Sequence, residues 1–324
     1  MKNRVGLGTF PLASVFHKVT PRSAEDLVRE FLDKGGFYID TAPLYGNGEV
    51  ESLLGRALKG IPREKYYLIT KTVKFVDEKG KIFVSGHSAD IISQIDNSLK
   101  RLRVDFVDQL MVHSPDESVS ISETLHGLEE VQRKGKTKEL AVSNVSLEEL
   151  KEFNKTGKIK YVQNRFSLIN RSISADFEKY LLENEISLIP YHLLEIGLLT
   201  RLALSPIHLH KDDLRQKLPY WSQENQEVIS HWVQIHLLPL ATELNITIGQ
   251  LNLAWALKQP FIKFVVAGTT NPEYLGINLQ ASHIKLSQSV LNKLEEAYKN
   301  LEELIAQKYH KSIRAFRGLN EKFF

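Results

Sequence analysis

Residues 36–71, GFYIDTAPLYGNGEVESLLGRALKGIPREKYYLITK, hold the unit from which the rest of the chain is built. The unit opens with a short apolar run, Gly36-Phe37-Tyr38-Ile39-Asp40. Glu49 to Leu58 then carries Val50, Leu53, Leu54 and Leu58 at helical spacing, and Tyr66-Tyr67-Leu68-Ile69-Thr70-Lys71 is a second strand-like run. Strand, helix and strand in that order predict parallel pairing, because parallel neighbours need a crossover.

The same rhythm runs outward in both directions. Val5-Gly6-Leu7-Gly8-Thr9 reads as a strand before the unit. After it, strands are predicted at Phe106 to His113, Glu139 to Ser143, Lys160 to Gln163, Ser187 to Tyr191 and Lys263 to Ala267. Between and after them, helical periodicity covers Ser88 to Leu102, Ile121 to Val131, Ser146 to Phe153, Ile173 to Leu182, Val228 to Leu244, Thr247 to Lys258, Tyr274 to Ala281 and Val290 to Gln307. Gly135 is placed to end one helix, and Ser146 with Glu149 spells a capping box. Eight strand candidates alternating with helices favour a closed α/β architecture, a single (β/α)8 TIM barrel over residues 1–324. A polar, aromatic insertion at about 201–225 interrupts it, and a C-terminal helix and tail occupy about 290–324.

Composition narrows the chemistry. The chain has 324 residues, no cysteine, and a net charge of +3 from 42 basic and 39 acidic side chains. Thiol nucleophiles, disulfides and cysteine-held metals are therefore excluded, and the charge balance gives no nucleic-acid footprint. No apolar segment reads as a membrane span, and a cytoplasmic location is expected. Oligomeric state leaves no mark on the sequence.

Chemistry in such a barrel lies at the C-terminal ends of the strands, and polar residues collect there. Asp40, Lys71, His113, Ser143-Asn144, Gln163-Asn164 and Tyr191 all end strands, with Tyr45 in the loop after Asp40. Taken singly, each reads as an ordinary boundary or packing residue; together they combine an acid, a cation, a phenol and an imidazole. His208-Leu209-His210 would be needed for a metal-dependent hydrolase, but no carboxylates at strand ends partner it, and no metal site is assigned.

This constellation resembles the aldo-keto reductase superfamily. Asp40-Thr41-Ala42-Pro43-Leu44-Tyr45-Gly46 is similar to its D-T-A-x-x-Y-G signature, followed by Glu51, Leu54 and Gly55 for E-x-x-L-G. Thr70-Lys71, Asp108 through His113 to Pro115-Asp116, Ala141-Val142-Ser143-Asn144 and Gln163 to Arg171 match further motifs in order. The resemblance implies an NAD(P)H-dependent oxidoreductase that moves hydride between a nicotinamide and the carbonyl of a small aldehyde or ketone. It assigns Tyr45 as proton donor, Lys71 and Asp40 as the pair that tunes it, and His113 as the group orienting the substrate oxygen. A free phenol titrates near ~10, and a neighbouring ammonium is expected to lower that value.

For the cofactor the resemblance points to Gly8, Thr9, Ser143, Asn144, Gln163, Tyr191, Gly197, Leu198, Gly268, Thr269 and Asn278. Ser143, Asn144 and Gln163 would hold the carboxamide, and Tyr191 would stack on the nicotinamide. Two segments depart from the pattern. His192 and Glu195 stand in the loop expected near the pyrophosphate, where a carboxylate is unfavourable. Tyr274 and Ile277 replace residues that are often Arg or Gln and Glu. NADPH is the implied cofactor, with NADH left open by the missing arginine. Substrate contacts are expected at Phe16, Ser114 and Trp221, with His17, Tyr220, Phe316 and Phe323 as further candidates. An alternative reading is an NADPH-binding regulatory or redox-sensing subunit with slow or no turnover.

Overall fold

The computed structural model describes residues 2–76, 81–204 and 209–316. Strands β1 (Val5–Gly8), β2 (Tyr38–Asp40) and β3 (Tyr67–Thr72) come first, followed by a two-stranded antiparallel hairpin, β4 (Lys74–Val76) and β5 (Ile82–Val84). Strands β6 (Val107–Val112), β7 (Thr137–Ser143), β8 (Ile159–Gln163), β9 (Ser187–Leu188) and β10 (Val265–Gly268) complete the set. Eight of these strands form one parallel sheet in the order β10-β1-β2-β3-β6-β7-β8-β9. The sheet curls until its edge strands meet, where the Leu188 N–H donates to the Phe261 carbonyl at 2.8 Å and the Lys263 N–H to Ser187 Oγ at 2.9 Å. This is the expected (β/α)8 fold.

Helices α1 (Pro21–Asp33), α2 (Glu49–Ala57), α3 (Ser88–Leu102), α4 (Ile121–Arg133), α5 (Leu147–Phe153) and α6 (Ala175–Glu183) supply the first crossovers. The later helices are α7 (Gln223–Trp232), α8 (Leu238–Glu243), α9 (Ile248–Ala256), α10 (Pro272–Gln280), α11 (Gln288–Tyr309) and the short α12 (Ile313–Phe316). Ser146 and Glu149 make the expected capping box, and Gly135 takes φ +72° just past α4. Thr247 with Gln250 forms a second box at α9.

Three elements differ from the periodic reading. The sequence reading assigns no helix between the first two strands, yet α1 is capped by Thr20 with Pro21 in its first turn and buries Ala24, Leu27, Val28 and Phe31. The β4–β5 hairpin escapes a periodicity search because its strands are three residues long and Ile82, Phe83 and Val84 are exposed. The helix expected over Val228 to Leu244 is interrupted by a π-turn at Val233–Leu237, just before Pro239, which lacks an N–H. The insertion consists largely of short 3₁₀ turns, and its last residues already belong to α7. Among the described residues no helix is long and apolar enough to cross a membrane.

The barrel interior is layered. Ile69, Met111, Ala141, Tyr161, Ile189 and Phe264 form a separate buried cluster inside the strands, against Tyr38, Tyr67 and Val266. The Tyr38 and Phe264 rings stack with centroids 3.9 Å apart, closing the lower half. A larger apolar layer fills the space between strands and helices. Gly55 shows how tight that layer is: a β-carbon there would lie 2.3 Å from the Arg101 carbonyl at the end of α3. Gly55→Ala should therefore cost about 1–3 kcal/mol by forcing the two helices apart. Thermal unfolding of that variant checks this, and an unchanged midpoint would contradict it.

Candidate active site and cofactor cleft

Side chains alternate across a strand, so each interior position is followed two residues later by another. That arithmetic builds the site. Tyr38, Ile69, Met111, Ala141, Tyr161 and Ile189 belong to the interior plug. Two residues beyond them stand Asp40, Lys71, His113, Ser143, Gln163 and Tyr191. All but Lys71 line a cleft of about 470 Å3 above the plug, which Tyr45 also lines.

Lys71 lies just beneath the wall, 1% exposed. Its ammonium donates to Asp40 Oδ1 at 2.8 Å, the Thr41 carbonyl at 2.9 Å and the Tyr45 hydroxyl at 3.3 Å. Asp40 is fixed from its other side by Gln163, whose Nε2 donates to Oδ2 at 3.1 Å. Thr9 Oγ1 donates to the Asp40 carbonyl at 2.8 Å. The His113 ring meets that of Tyr45 edge-on with centroids 6.1 Å apart.

The electrostatics refine one expectation. Lys71 does pull the Tyr45 phenol downward, but burial pushes it up more strongly, and it titrates above the ordinary tyrosine value. The phenol is thus held as a protonated acid at neutral pH. Burial also opposes the charge on Lys71, yet Asp40 and Tyr45 raise its pKa above the ordinary lysine value. Burial, followed by the positive charges of Lys71 and Lys74, holds His113 well below the usual imidazole range. His113 is a neutral ring at physiological pH.

Most of the residues expected to touch a cofactor line the same cleft: Gly8, Ser143, Asn144, Gln163, Tyr191, Gly197, Gly268, Thr269 and Asn278. Thr9 and Leu198 do not. Thr9 is fully buried behind Asp40, and the Leu198 side chain is buried in the apolar layer. Of the substrate candidates, Phe16 and His17 line the cleft. Ser114, Trp221, Tyr220 and Phe316 are buried outside its lining, and Phe323 lies outside the described residues. The wall near Tyr45 instead includes Phe10, whose ring packs on Tyr45 at 5.2 Å, and Leu44. Arg201 and Arg215 line the cleft as well; they come from the insertion, where no periodicity marks them. Among the described residues no group of three His, Asp or Glu side chains could hold a metal; His208 lies outside them, and His210 pairs with Asp212 at 3.5 Å.

Glu195 does not face the cleft. Its carboxylate is fully buried, accepting from Arg165 at 2.9 Å and from Ser167 Oγ at 2.5 Å. The loop around it is held in left-handed backbone at His192, Glu195, Ile196 and Gly197, with φ of +55°, +47°, +53° and +108°. Such geometry costs a branched residue like Ile196 about 1–3 kcal/mol and persists only when its surroundings impose it. The Arg165–Glu195–Ser167 anchor does so, leaving His192, Leu193, Leu194, Ile196 and Gly197 along the cleft.

A dinucleotide suits this cleft on the molecule's own terms. One end offers hydroxyl and amide groups beside the Tyr45–Lys71 acid. The other offers the Arg201 guanidinium, over the Tyr274 ring, and the N-terminus of α10, capped by Asn271. Between them the backbone runs bare at Gly8, Gly197 and Gly268, and a β-carbon on Gly268 would come within 2.8 Å of Pro11.

A barrel with a buried acid–lysine–tyrosine set and a neutral histidine at the mouth has the arrangement of an oxidoreductase that acts on carbonyls. Comparison with known proteins agrees. The model of the Aldo/keto reductase family matches residues 4–299, and the chain belongs to that family. Aldo-keto reductase YhdN of Bacillus subtilis is 31% identical over 277 residues, covering 84% of this chain and 83% of the relative. The NADH-specific methylglyoxal reductase of Escherichia coli is 29% identical, covering 93% of this chain and 96% of the relative. The solved structure of the glycerol dehydrogenase AKR11B4 from Gluconobacter oxydans superimposes with a TM-score of 0.80 at 26% identity, covering 99% of this chain and 94% of its own. The chain is an NAD(P)H-dependent oxidoreductase of this family.

Proposed function

We propose that this chain is a cytoplasmic enzyme that reduces a small aldehyde or ketone to an alcohol, with NADPH as its cofactor. The carrying observation is the Tyr45 hydroxyl, 3.3 Å from a Lys71 ammonium that Asp40 holds at 2.8 Å, at the edge of a cleft shared with His113. When bound, the nicotinamide supplies the hydride. The chain's own residues do the rest. His113, neutral, donates a hydrogen bond to the carbonyl oxygen and fixes its direction. Tyr45 delivers its proton to that oxygen as negative charge develops there. Lys71 stabilises the phenolate left behind, and Asp40 keeps Lys71 charged and in place. Phe10, Phe16 and Leu44 would keep water from the reacting carbonyl.

Turnover of a panel of aldehydes followed by NADPH absorbance tests this reading. Tight NADPH binding with no turnover of any carbonyl would overturn it in favour of a sensing subunit. The complete Asp40–Lys71–Tyr45–His113 set favours turnover.

The choice of NADPH rests on Arg201. Tyr274 stands where the family often has Arg or Gln, but the Arg201 guanidinium lies over its ring at 5.4 Å. An exposed guanidinium there suits the additional phosphate of NADPH. Relatives differ on this point: the E. coli reductase is described as NADH-specific, and an aldo/keto reductase of Klebsiella pneumoniae was solved with NADP. Arg201→Ala is expected to raise KM for NADPH about tenfold and leave that for NADH unchanged. Equal effects on the two cofactors would remove Arg201 from this role.

A further inference from the structure

Val73, the residue that follows β3, takes φ +76° although it is β-branched and fully buried. A branched side chain is a true outlier in that region, and such strain persists only where the surroundings impose it. Gln94, buried in α3, supplies part of what imposes it. Its Oε1 accepts from the Thr72 hydroxyl and from the Val73 N–H, each at 2.8 Å. The Ser85 N–H, just past the β4–β5 hairpin, closes the turn by donating to the Val73 carbonyl at 2.9 Å.

The same turn carries His113. The Thr72 carbonyl accepts the His113 N–H at 3.0 Å, and the His113 carbonyl accepts from Asn144 Nδ2 at 2.8 Å. Among the described residues Nδ1 of the His113 ring has no hydrogen-bond partner. The ring is therefore aimed through its backbone. Lys71 differs, because Asp40, the Thr41 carbonyl and Tyr45 hold its ammonium directly. A tip of β3 that relaxed to ordinary backbone would move the imidazole, while those three bonds keep the ammonium in place.

We propose that Gln94 is a positioning residue for carbonyl reduction: it holds the tip of β3 in its left-handed turn, and the Thr72 carbonyl passes that constraint to the His113 ring. Gln94 itself meets neither substrate nor cofactor. This inference rests on the role given to His113 under the proposed function.

The test compares steady-state reduction of one aldehyde, and NADPH titration, in the parent, Gln94→Met, Gln94→Glu, His113→Ala and the double variant of Gln94→Met with His113→Ala. Gln94→Met keeps the length of the side chain and removes its acceptor. It should lower kcat about tenfold, since small misplacements of an orienting group are costly, and leave Kd for NADPH within about twofold. Gln94→Glu keeps an oxygen acceptor for both donors and should retain kcat within about threefold. In the His113→Ala background, Gln94→Met should cost less than about twofold, because the ring it aims is gone. The same tenfold loss in both backgrounds would overturn the proposal and leave Gln94 as general support for the fold. So would an unchanged kcat in Gln94→Met, or an equal loss in Gln94→Glu. Should Gln94→Met fail to fold, Thr72→Val decides: it removes one of the two donors and keeps the shape. A loss of about threefold that disappears in the His113→Ala background supports the proposal. An equal loss in both backgrounds, or none, overturns it. A parent that reduces no carbonyl would overturn the proposed function, and this inference with it.

Discussion

Tyr45→Phe is expected to lower carbonyl reduction by about 10³-fold or more while changing cofactor affinity by less than about twofold. The ring that packs on Phe10 is kept, and only the proton donor is lost. The pH dependence of the parent should carry the same signature. Reduction needs the phenol protonated, and burial holds its pKa above the ordinary value. Activity should therefore persist through neutral pH and be lost only as the pH rises past about 10. His113 titrates well below the usual imidazole range, so no inflection is expected near ~6.5. Near-normal turnover in the phenylalanine variant would dismiss Tyr45 as the acid. An alkaline loss centred near neutrality would dismiss the burial argument.

The second large effect lies in the loop beside the cleft. Arg165→Ala takes the guanidinium from the buried Glu195 carboxylate, in a segment already held in left-handed backbone. Removing one member of such a pair costs about 3–5 kcal/mol. Thermal unfolding should move down by roughly 10 °C. Glu195→Gln keeps the shape and one acceptor for Ser167, so it should cost less than the arginine change. An Arg165→Ala variant within about 1 kcal/mol of the parent would show that the pair does not hold the loop.

The strands and the candidate site were legible because both rest on local signals. Apolar runs of four to eight residues marked the strands, and the motif around Asp40 and Tyr45 lies within one strand and its loop. Lys71 and His113 were found from their places at strand ends. Long-range geometry left no such trace. Glu195 reads as a misplaced charge in sequence, because its partner Arg165 lies thirty residues earlier. Arg201 meets Tyr274 across the cleft, and nothing in either segment points to the other. The start of α1 is a different matter, since Thr20 and Pro21 are a plain helix entry, but its buried positions are interspersed with Arg22, Glu25, Asp26, Arg29 and Glu30. Trp221 shows the converse: an aromatic in a variable loop invites a ligand role, and the fold places it 3% exposed against Arg215, outside the cleft lining.

The alternation that sets Lys71 two residues past Ile69 also limits how this barrel can change through evolution. A single-residue deletion within β3 would turn the ammonium outward among the helices and bring a threonine hydroxyl to Asp40. Loss of two residues would restore the facing but draw the cation along the strand by roughly 6–7 Å, beyond reach of both Asp40 and Tyr45. Descendants of this chain can exchange the chemical group at a strand tip or rebuild the loop beyond it. They cannot shift the strand itself, so length variation is confined to the connecting segments, and the tips act as fixed sockets into which new chemistry is fitted one side chain at a time.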